Sequence, residues 1–170
     1  MAEPRYSANY DSPAKIIIRQ TGDSLIAVLD DSQFIVRDNL YTIVFREIKS
    51  DLNFVLGLLN SRLLNWFYQT VLNPEKGEAL AQVKRGHIAQ LPIRIINLTN
   101  SSEKLMHDKM IKLVKSMLDM NKRKIGTQSE RDIELLERQI TATNREIDRL
   151  VYKLYGLTEE EIKIVESAGP

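Results

Sequence analysis

One run of residues in the chain has side chains suited to contacting phosphate. Lys84 and Arg85 stand beside Gly86, His87 follows, and residues 79–99 contain no acidic side chain. Lys and Arg are common phosphate ligands, and a glycine lets the backbone approach a ligand closely. We interpret the run as a phosphate-contact loop that uses Lys84, Arg85 and His87, with a solvated surface loop as the alternative.

A second set of side chains could read base edges. Arg, Gln and Asn make paired hydrogen bonds to guanine or adenine in the major groove of DNA. Residues of these types lie in the predicted turns at the strand ends, although the same types are common in turns of any protein. The predicted base-reading residues are Arg19, Gln20, Gln33, Arg37 and Asn39.

Patterns that would indicate catalysis are weak. The absence of cysteine excludes thiolate zinc clusters and thiol nucleophiles, and His87 and His107 are the two histidines. Residues 73–76, N-P-E-K, resemble the Asn-Pro-Pro-aromatic signature of amino-methylating DNA methyltransferases but lack the second Pro and the aromatic residue that would stack a flipped base. We interpret them as a helix stop, the Asp30-Asp31 pair as turn capping, and His107 as a solvated helix residue. The sequence therefore predicts no catalytic residue and no metal site.

Composition is that of an ordinary soluble protein. The 170 residues are 43% hydrophobic and 28% charged, with a net charge of +1 that neither favours nor excludes nucleic acid as a partner. The N-terminus has no apolar core of a signal peptide, and no run approaches the ~18 apolar residues of a membrane span. We expect a cytoplasmic protein with no membrane partner.

Short strands must position these side chains. Runs rich in β-branched and aromatic residues predict strands over 16–19, 25–29 and 40–45, with residues 34–36 as a possible fourth, after a polar arm over residues 1–13. The connections are too short for parallel crossovers, so the strands should be antiparallel.

An almost wholly apolar segment follows the strands. Residues 52–69 show apolar spacing of three and four, which predicts a buried helix capped by Ser50 or Asp51 and stopped at residues 73–77. Gly57 inside this helix is tolerable if another backbone packs close to it. Residues 91–96 then predict a strand that begins at a proline.

The remaining sequence is helical. Residues 103–125 have one apolar stripe and a lysine face, on which Lys104 is a further candidate phosphate contact; the alternative is an ordinary solvated face. Residues 130–155 carry a coiled-coil-like seam, and Gly156 should end that helix. Thr158 and Glu161 predict a capping box for a last short helix.

The predicted fold class is therefore α+β. We expect an N-terminal arm over residues 1–13, then a small, mainly antiparallel β domain packed on a buried helix over residues 14–97. An antiparallel helical hairpin with a short C-terminal helix should occupy residues 98–170.

Five stretches of sequence together resemble a known family. They look like the TaqI-like C-terminal specificity domain of type IIG restriction–modification enzymes and adenine-specific DNA methyltransferases, and more distantly like type I specificity subunits. The stretches are K-I-I-I-R-Q, F-I-V-R-D-N-L-Y-T-I, L-G-L-L-N-S-R-L-L-N-W-F-Y and Q-V-K-R-G-H-I-A-Q-L-P-I within residues 14–96, and I-D-R-L-V-Y-K-L-Y-G-L-T-E-E-E-I near the C-terminus.

The resemblance implies a non-catalytic target-recognition module for double-stranded DNA. A separate methyltransferase domain or subunit would bind S-adenosylmethionine and flip the adenine, and this chain would hold no cofactor. Lys84 and Arg85 match the basic pair that precedes Leu-Pro-Ile in such domains. The alternative is a protein-interaction or oligomerisation module that self-associates through the helical hairpin.

Overall fold

The computed structural model describes residues 12–36, 39–44, 51–73, 75–78 and 80–168. Most of the predicted arm, residues 1–11, lies outside the described residues, and so does Arg37. Within the described part, strands and helices occur together, and this confirms the α+β fold class. None of the described helices combines the length and the apolar composition that crossing a membrane requires.

A three-stranded antiparallel sheet opens the fold. Its strands are β1 (Lys15–Arg19), β2 (Ala27–Asp30) and β3 (Leu40–Ile43), in the order β2-β1-β3. Ile17 of β1 lies opposite Val28 on one side and Thr42 on the other. The three predicted strands and their antiparallel pairing are confirmed.

The possible fourth strand over residues 34–36 is wrong. The Asp30 carboxylate accepts the N–H groups of Ser32 and Phe34, each at 2.9 Å, and the resulting turn takes the chain away from the sheet. Phe34 and Ile35 are exposed as a consequence. A run of β-forming residues becomes a strand only where a partner strand meets it, and this run has left the sheet.

Asp30 is also half of a buried ion pair. Its carboxylate lies 2.8 Å from Lys15 Nζ, and both side chains are almost completely enclosed. Burial by itself would raise the pKa of Asp30, but the hydrogen bonds from Lys15 and from the Ser32 and Phe34 backbone outweigh burial, and the pKa lies below its usual value. The pair joins the start of β1 to the end of β2.

The predicted apolar helix is two helices and a π-helical turn. Helix α1 (Leu52–Leu59) begins at the N-cap Asp51, whose carboxylate accepts from Asn53 N, and α2 (Arg62–Phe67) begins at Ser61. A π-helical segment, Tyr68–Leu72, ends at Asn73, where the stop is predicted. Ser61 Oγ donates to Leu58 O at 2.7 Å and caps Leu64 N, so it both closes one helix and opens the next.

Residues 91–96 do not form the predicted strand. The Tyr155 hydroxyl donates to Pro92 O at 2.6 Å and accepts from Arg94 N at 3.2 Å. These two bonds attach the segment to the end of a helix instead of a sheet edge. Leu91 is buried in the core and Ile93 and Ile96 pack against it, whereas Ile95 is exposed. A short helix, α3 (Arg85–Ile88), lies between the π-helical segment and residues 91–96.

Two long helices form the predicted hairpin. Helices α4 (Ser101–Gly126) and α5 (Glu130–Tyr155) run antiparallel, since Lys109 pairs with Glu146 and Lys124 with Glu137. Gly156 ends α5 in the left-handed conformation, with φ 70°. The predicted capping box opens α6 (Glu159–Ser167).

Helix α4 crosses α1 at Gly57. A Cβ on Gly57 would lie 2.6 Å from Met110 Sδ and 2.9 Å from Val114 Cγ2, so glycine allows the two helices to approach. The same crossing buries His107 against the Phe54 ring, with ring centroids 5.0 Å apart. The expectation that His107 is solvated is therefore wrong, because its face of α4 is covered by α1.

One hydrophobic core includes residues from both the sheet and helices before residue 97 and the helical hairpin after it. Ile16 and Ile18 of β1, Leu59 of α1, Met110 of α4 and Leu150 of α5 belong to one cluster. The hairpin therefore packs directly on α1 and α2. The division into functional units at residue 97 stays a prediction.

Candidate nucleic-acid interface

The end of β1 carries several predicted site residues side by side. Val83 N donates to Gln20 O at 2.7 Å, and Gly22 N donates to Ala81 O at 2.9 Å. A β-bridge between Thr21 and Gln82 lies between these two bonds. Residues 81–83 thus extend the sheet for a short distance, which places Lys84 directly beside the end of β1.

Asn39 joins the same end of the sheet from the chain that leads into β3. Gln20 N donates to Asn39 O at 3.0 Å. Asn39 is exposed, and Arg19 and Gln20 are half-buried. We use the name sheet-end face for the surface formed by Arg19, Gln20, Asn39, Lys84 and Arg85.

The Arg19 guanidinium lies across the turn between β1 and β2. A Cβ on Gly22 would be 2.7 Å from Arg19 Nη2, and Gly22 has φ 107°. Both the conformation and the space therefore favour glycine at this turn. Arg19 Nε is buried and has no hydrogen-bond partner among the described residues, although the residue as a whole is half-buried.

Lys84 is already paired. Its ammonium group binds Glu75 Oε1, while Gln82 N donates to Glu75 Oε2 at 3.2 Å. The hydrogen bond from Lys84, followed by that from Gln82 N, lowers the pKa of Glu75 below its usual value, so the carboxylate is ionised at neutral pH. Arg85 is exposed, and no ion pair to it is found within the described ranges. Arg85 is therefore the more available of the two cations.

His87 faces the protein interior more than Lys84 and Arg85 do. The predicted loop is a short helical turn, α3, in which the His87 ring lies 6.1 Å from the ring of the buried Tyr68. Burial raises the pKa of Tyr68 to about 12, and its hydroxyl donates to Gln82 O at 3.4 Å. Tyr68 thus supports the backbone that carries Lys84, and a role for His87 at phosphate has less geometric support than one for Arg85.

Two predicted residues lie elsewhere. Gln33 follows β2 beyond Asp30, which pairs with Lys15 at the opposite end of β1 from Arg19. Lys104 lies on α4 and pairs with Asp108 at 2.6 Å. Neither residue belongs to the sheet-end face as the structure places them.

The side chains of Asn60 and Asn65 hold β2 from its outer edge. Asn60 Oδ1 accepts from Ala27 N and Asn60 Nδ2 donates to Ala27 O, both at 2.9 Å. Asn65 Oδ1 accepts from Leu25 N at 2.8 Å. The two amides replace a neighbouring strand, so the N-S-R-L-L-N motif fixes β2 and the turn that leads to it. Neither asparagine is among the predicted site residues, and only their repeated type in an apolar segment could have drawn attention to them.

A cleft of about 750 Å³ lies between β2, α2 and the hairpin. Its walls include Ile26, Trp66 and Met117 and none of the predicted site residues. The sheet-end face is instead an open surface at the margin of the sheet. An open surface with exposed polar and basic side chains suits a large ligand, such as a duplex, better than a small molecule.

One family model matches the chain, over residues 2–93. It is described as the TaqI-like C-terminal specificity domain. The match includes the described sheet, α1, α2 and the basic residues of the sheet-end face, and it covers more than half of the chain. No curated protein matches the sequence.

Proposed function

The chain belongs to the family of TaqI-like C-terminal specificity domains, and on that premise we propose that it recognises a short sequence in duplex DNA for a restriction–modification enzyme. The observation that carries the proposal is the convergence of Arg19, Gln20 and Asn39 with Lys84 and Arg85 on the sheet-end face. Backbone hydrogen bonds from Val83 to Gln20, 2.7 Å, and from Gln20 to Asn39, 3.0 Å, hold the three segments together.

The proposed division of labour follows the chemistry of each side chain. Arg85, assisted by Lys84, contacts phosphate oxygens and sets the register of the domain on the duplex. Arg19, Gln20 and Asn39 project from the strand ends toward base edges in the major groove, which is ~12 Å wide and admits a two-stranded ribbon. Gln33, which lies away from the sheet-end face, and Arg37 are further proposed base contacts.

Catalysis is proposed to reside outside this chain. In that arrangement a methyltransferase domain or subunit binds S-adenosylmethionine and carries out the chemistry, as in type IIG enzymes or with type I specificity subunits. The helical hairpin then serves as a spacer or docking element. Ile125 and Leu135, near the hairpin turn, are 87% and 54% exposed, and neighbouring exposed apolar side chains favour contact with another protein surface.

The same exposed residues support the second candidate function, in which the hairpin mediates self-association. Light scattering of the purified chain distinguishes the two. A concentration-dependent oligomer that fails to bind DNA, even with a methyltransferase partner present, would favour the interaction module over DNA recognition.

The direct test is a salt titration of DNA binding. We expect Lys84→Ala with Arg85→Ala to weaken binding of the full chain to duplexes of all sequences. The dependence of log affinity on log salt should become shallower by about 0.9 for each phosphate that the variant no longer neutralises. Fluorescence anisotropy with a mixed-sequence duplex measures both quantities.

The matched control is Lys153→Ala with Lys163→Ala, one residue on α5 and one on α6, both outside the lysine face of α4. Both side chains are exposed, and the change in net charge is the same. If the control lowers affinity and salt slope as much as the test variant, the effect is one of net charge and the assignment of the sheet-end face is wrong.

A further inference from the structure

We propose that Glu75 is a positioning residue that limits the affinity of the sheet-end face for duplex DNA by holding Lys84 in an ion pair. The inference rests on the proposed function. It assigns a role to an acidic residue beside a surface that is expected to meet a polyanion, where a carboxylate would otherwise only repel the ligand.

Both carboxylate oxygens of Glu75 are engaged toward the DNA-facing segment. Oε1 accepts from the Lys84 ammonium, and Oε2 accepts from Gln82 N at 3.2 Å. Gln82 in turn bridges to Thr21 at the end of β1. Glu75 therefore lies directly beside the sheet-end face, where it is close enough to determine the orientation of Lys84.

A tight turn holds Glu75 in this place. Glu75 N donates to Asn73 Oδ1 at 3.1 Å, and Glu78 N donates to Glu75 O at 3.0 Å. Gly77 N donates to Asp23 Oδ2 at 3.2 Å, which fastens the turn to the loop between β1 and β2. Because these bonds fix the backbone on both sides of Glu75, its backbone loses little conformational entropy when the ion pair with Lys84 forms again.

The ion pair is accessible to a phosphate. The Lys84 side chain is 51% exposed and the Glu75 side chain 26%. A phosphate that binds Lys84 must replace Glu75, so the gain from the new contact is offset by the loss of the existing ion pair. Lys84 therefore adds little to the binding of DNA through phosphates alone. Contacts made by base-reading residues then supply a larger share of the affinity.

A double-mutant cycle on the full chain tests the proposal. We expect Glu75→Gln to raise the affinity for mixed-sequence duplex and to steepen the salt slope by about 0.9, the value of one phosphate contact. If the variant and the wild type bind equally at 1 M salt, a slope difference of about 0.9 gives about a fivefold higher affinity for the variant at 0.15 M salt. Glutamine retains an acceptor for Gln82 N, so the turn should stay intact.

The gain should depend on Lys84. In the Lys84→Ala background, Glu75→Gln should change affinity by less than about twofold, because the released cation is no longer there. The matched control is Glu78→Gln, which makes the same charge change at an exposed residue of the same turn. An equal gain from Glu78→Gln, or an undiminished gain without Lys84, would overturn the inference.

One comparison does not require a change at Glu75. Lys84→Ala alone should leave the salt slope nearly unchanged, whereas Arg85→Ala should make it shallower by about 0.9. Equal reductions of the slope in the two single variants would refute the role of Glu75 and leave the proposed function standing. If the wild-type chain binds no duplex even at low salt, the proposed function fails, and this inference fails with it.

Discussion

The side chain of Asn60 should contribute measurably to stability, because it bonds both backbone groups of Ala27 at the outer edge of β2. Asn60→Ala removes these two bonds and little else. The Asn60 backbone has φ −88° and ψ 0°, a conformation that alanine adopts without strain, and the bond from Asn60 N to Leu56 O does not involve the side chain.

The expected loss follows from the environment of Ala27. Ala27 is 6% exposed, so its N–H and C=O would lose their partner where water has limited access. An unsatisfied buried polar group costs ~1–3 kcal/mol. Asn60 itself is exposed, which lets water approach from one side. We therefore expect the free energy of unfolding to fall by ~2–3 kcal/mol, near the lower bound for two such groups.

Urea unfolding followed by circular dichroism measures this loss. Asn60→Asp keeps an acceptor for Ala27 N but places a carboxylate oxygen against Ala27 O, so it should destabilise at least as much as Asn60→Ala. Asn121→Ala, which removes one exposed bond within α4, is the control and should cost less than ~0.5 kcal/mol. A loss below ~0.5 kcal/mol for Asn60→Ala, or a milder effect of Asn60→Asp, would refute the assigned role.

Two further predictions concern the core and the buried ion pair. Leu59 is 1% exposed, so Leu59→Ala should lower the free energy of unfolding by ~2–5 kcal/mol, and a loss below ~1 kcal/mol in a denaturant melt would mean that the core is misplaced. Because the pKa of Asp30 is lower in the folded chain than its ordinary value of 3.8, its contribution should be complete above that value and be lost as pH falls toward the folded pKa. Urea melts of the wild type should give a lower free energy of unfolding at pH 3 than at pH 5. The double variant Lys15→Met with Asp30→Asn should show a smaller difference between the two pH values. Equal differences in the two proteins would contradict the prediction.

Elements that depend on short-range chemistry are predictable from the sequence. The three strands, the Asp51 cap, the Gly156 helix end and the capping box of Thr158 all follow from residues within a few positions of one another. The periodic apolar seam likewise predicts that α4 and α5 pair. In each case the groups that form the bond or the stripe are neighbours in the chain.

Errors occur where a distant partner decides the outcome. The break at Asn60 and Ser61 accompanies a bond from Asn60 to Ala27, 33 residues away. Residues 91–96 have the composition of a strand, but Tyr155, 61 residues beyond Arg94, binds their backbone. His107 is buried because α4 happens to cross α1 at that point. Local preference does not include these partners.

By itself the sequence determined the α+β class, the family resemblance and the basic pair Lys84-Arg85, because these depend on residue type and near spacing. Only the tertiary structure brought Arg19, Gln20 and Asn39 beside that pair, and moved Gln33 and Lys104 away from it. It also showed that Glu75 neutralises Lys84. The physical reason is that a surface is an arrangement of distant segments, and its charge depends on which side chains the sheet and turns place within hydrogen-bonding distance.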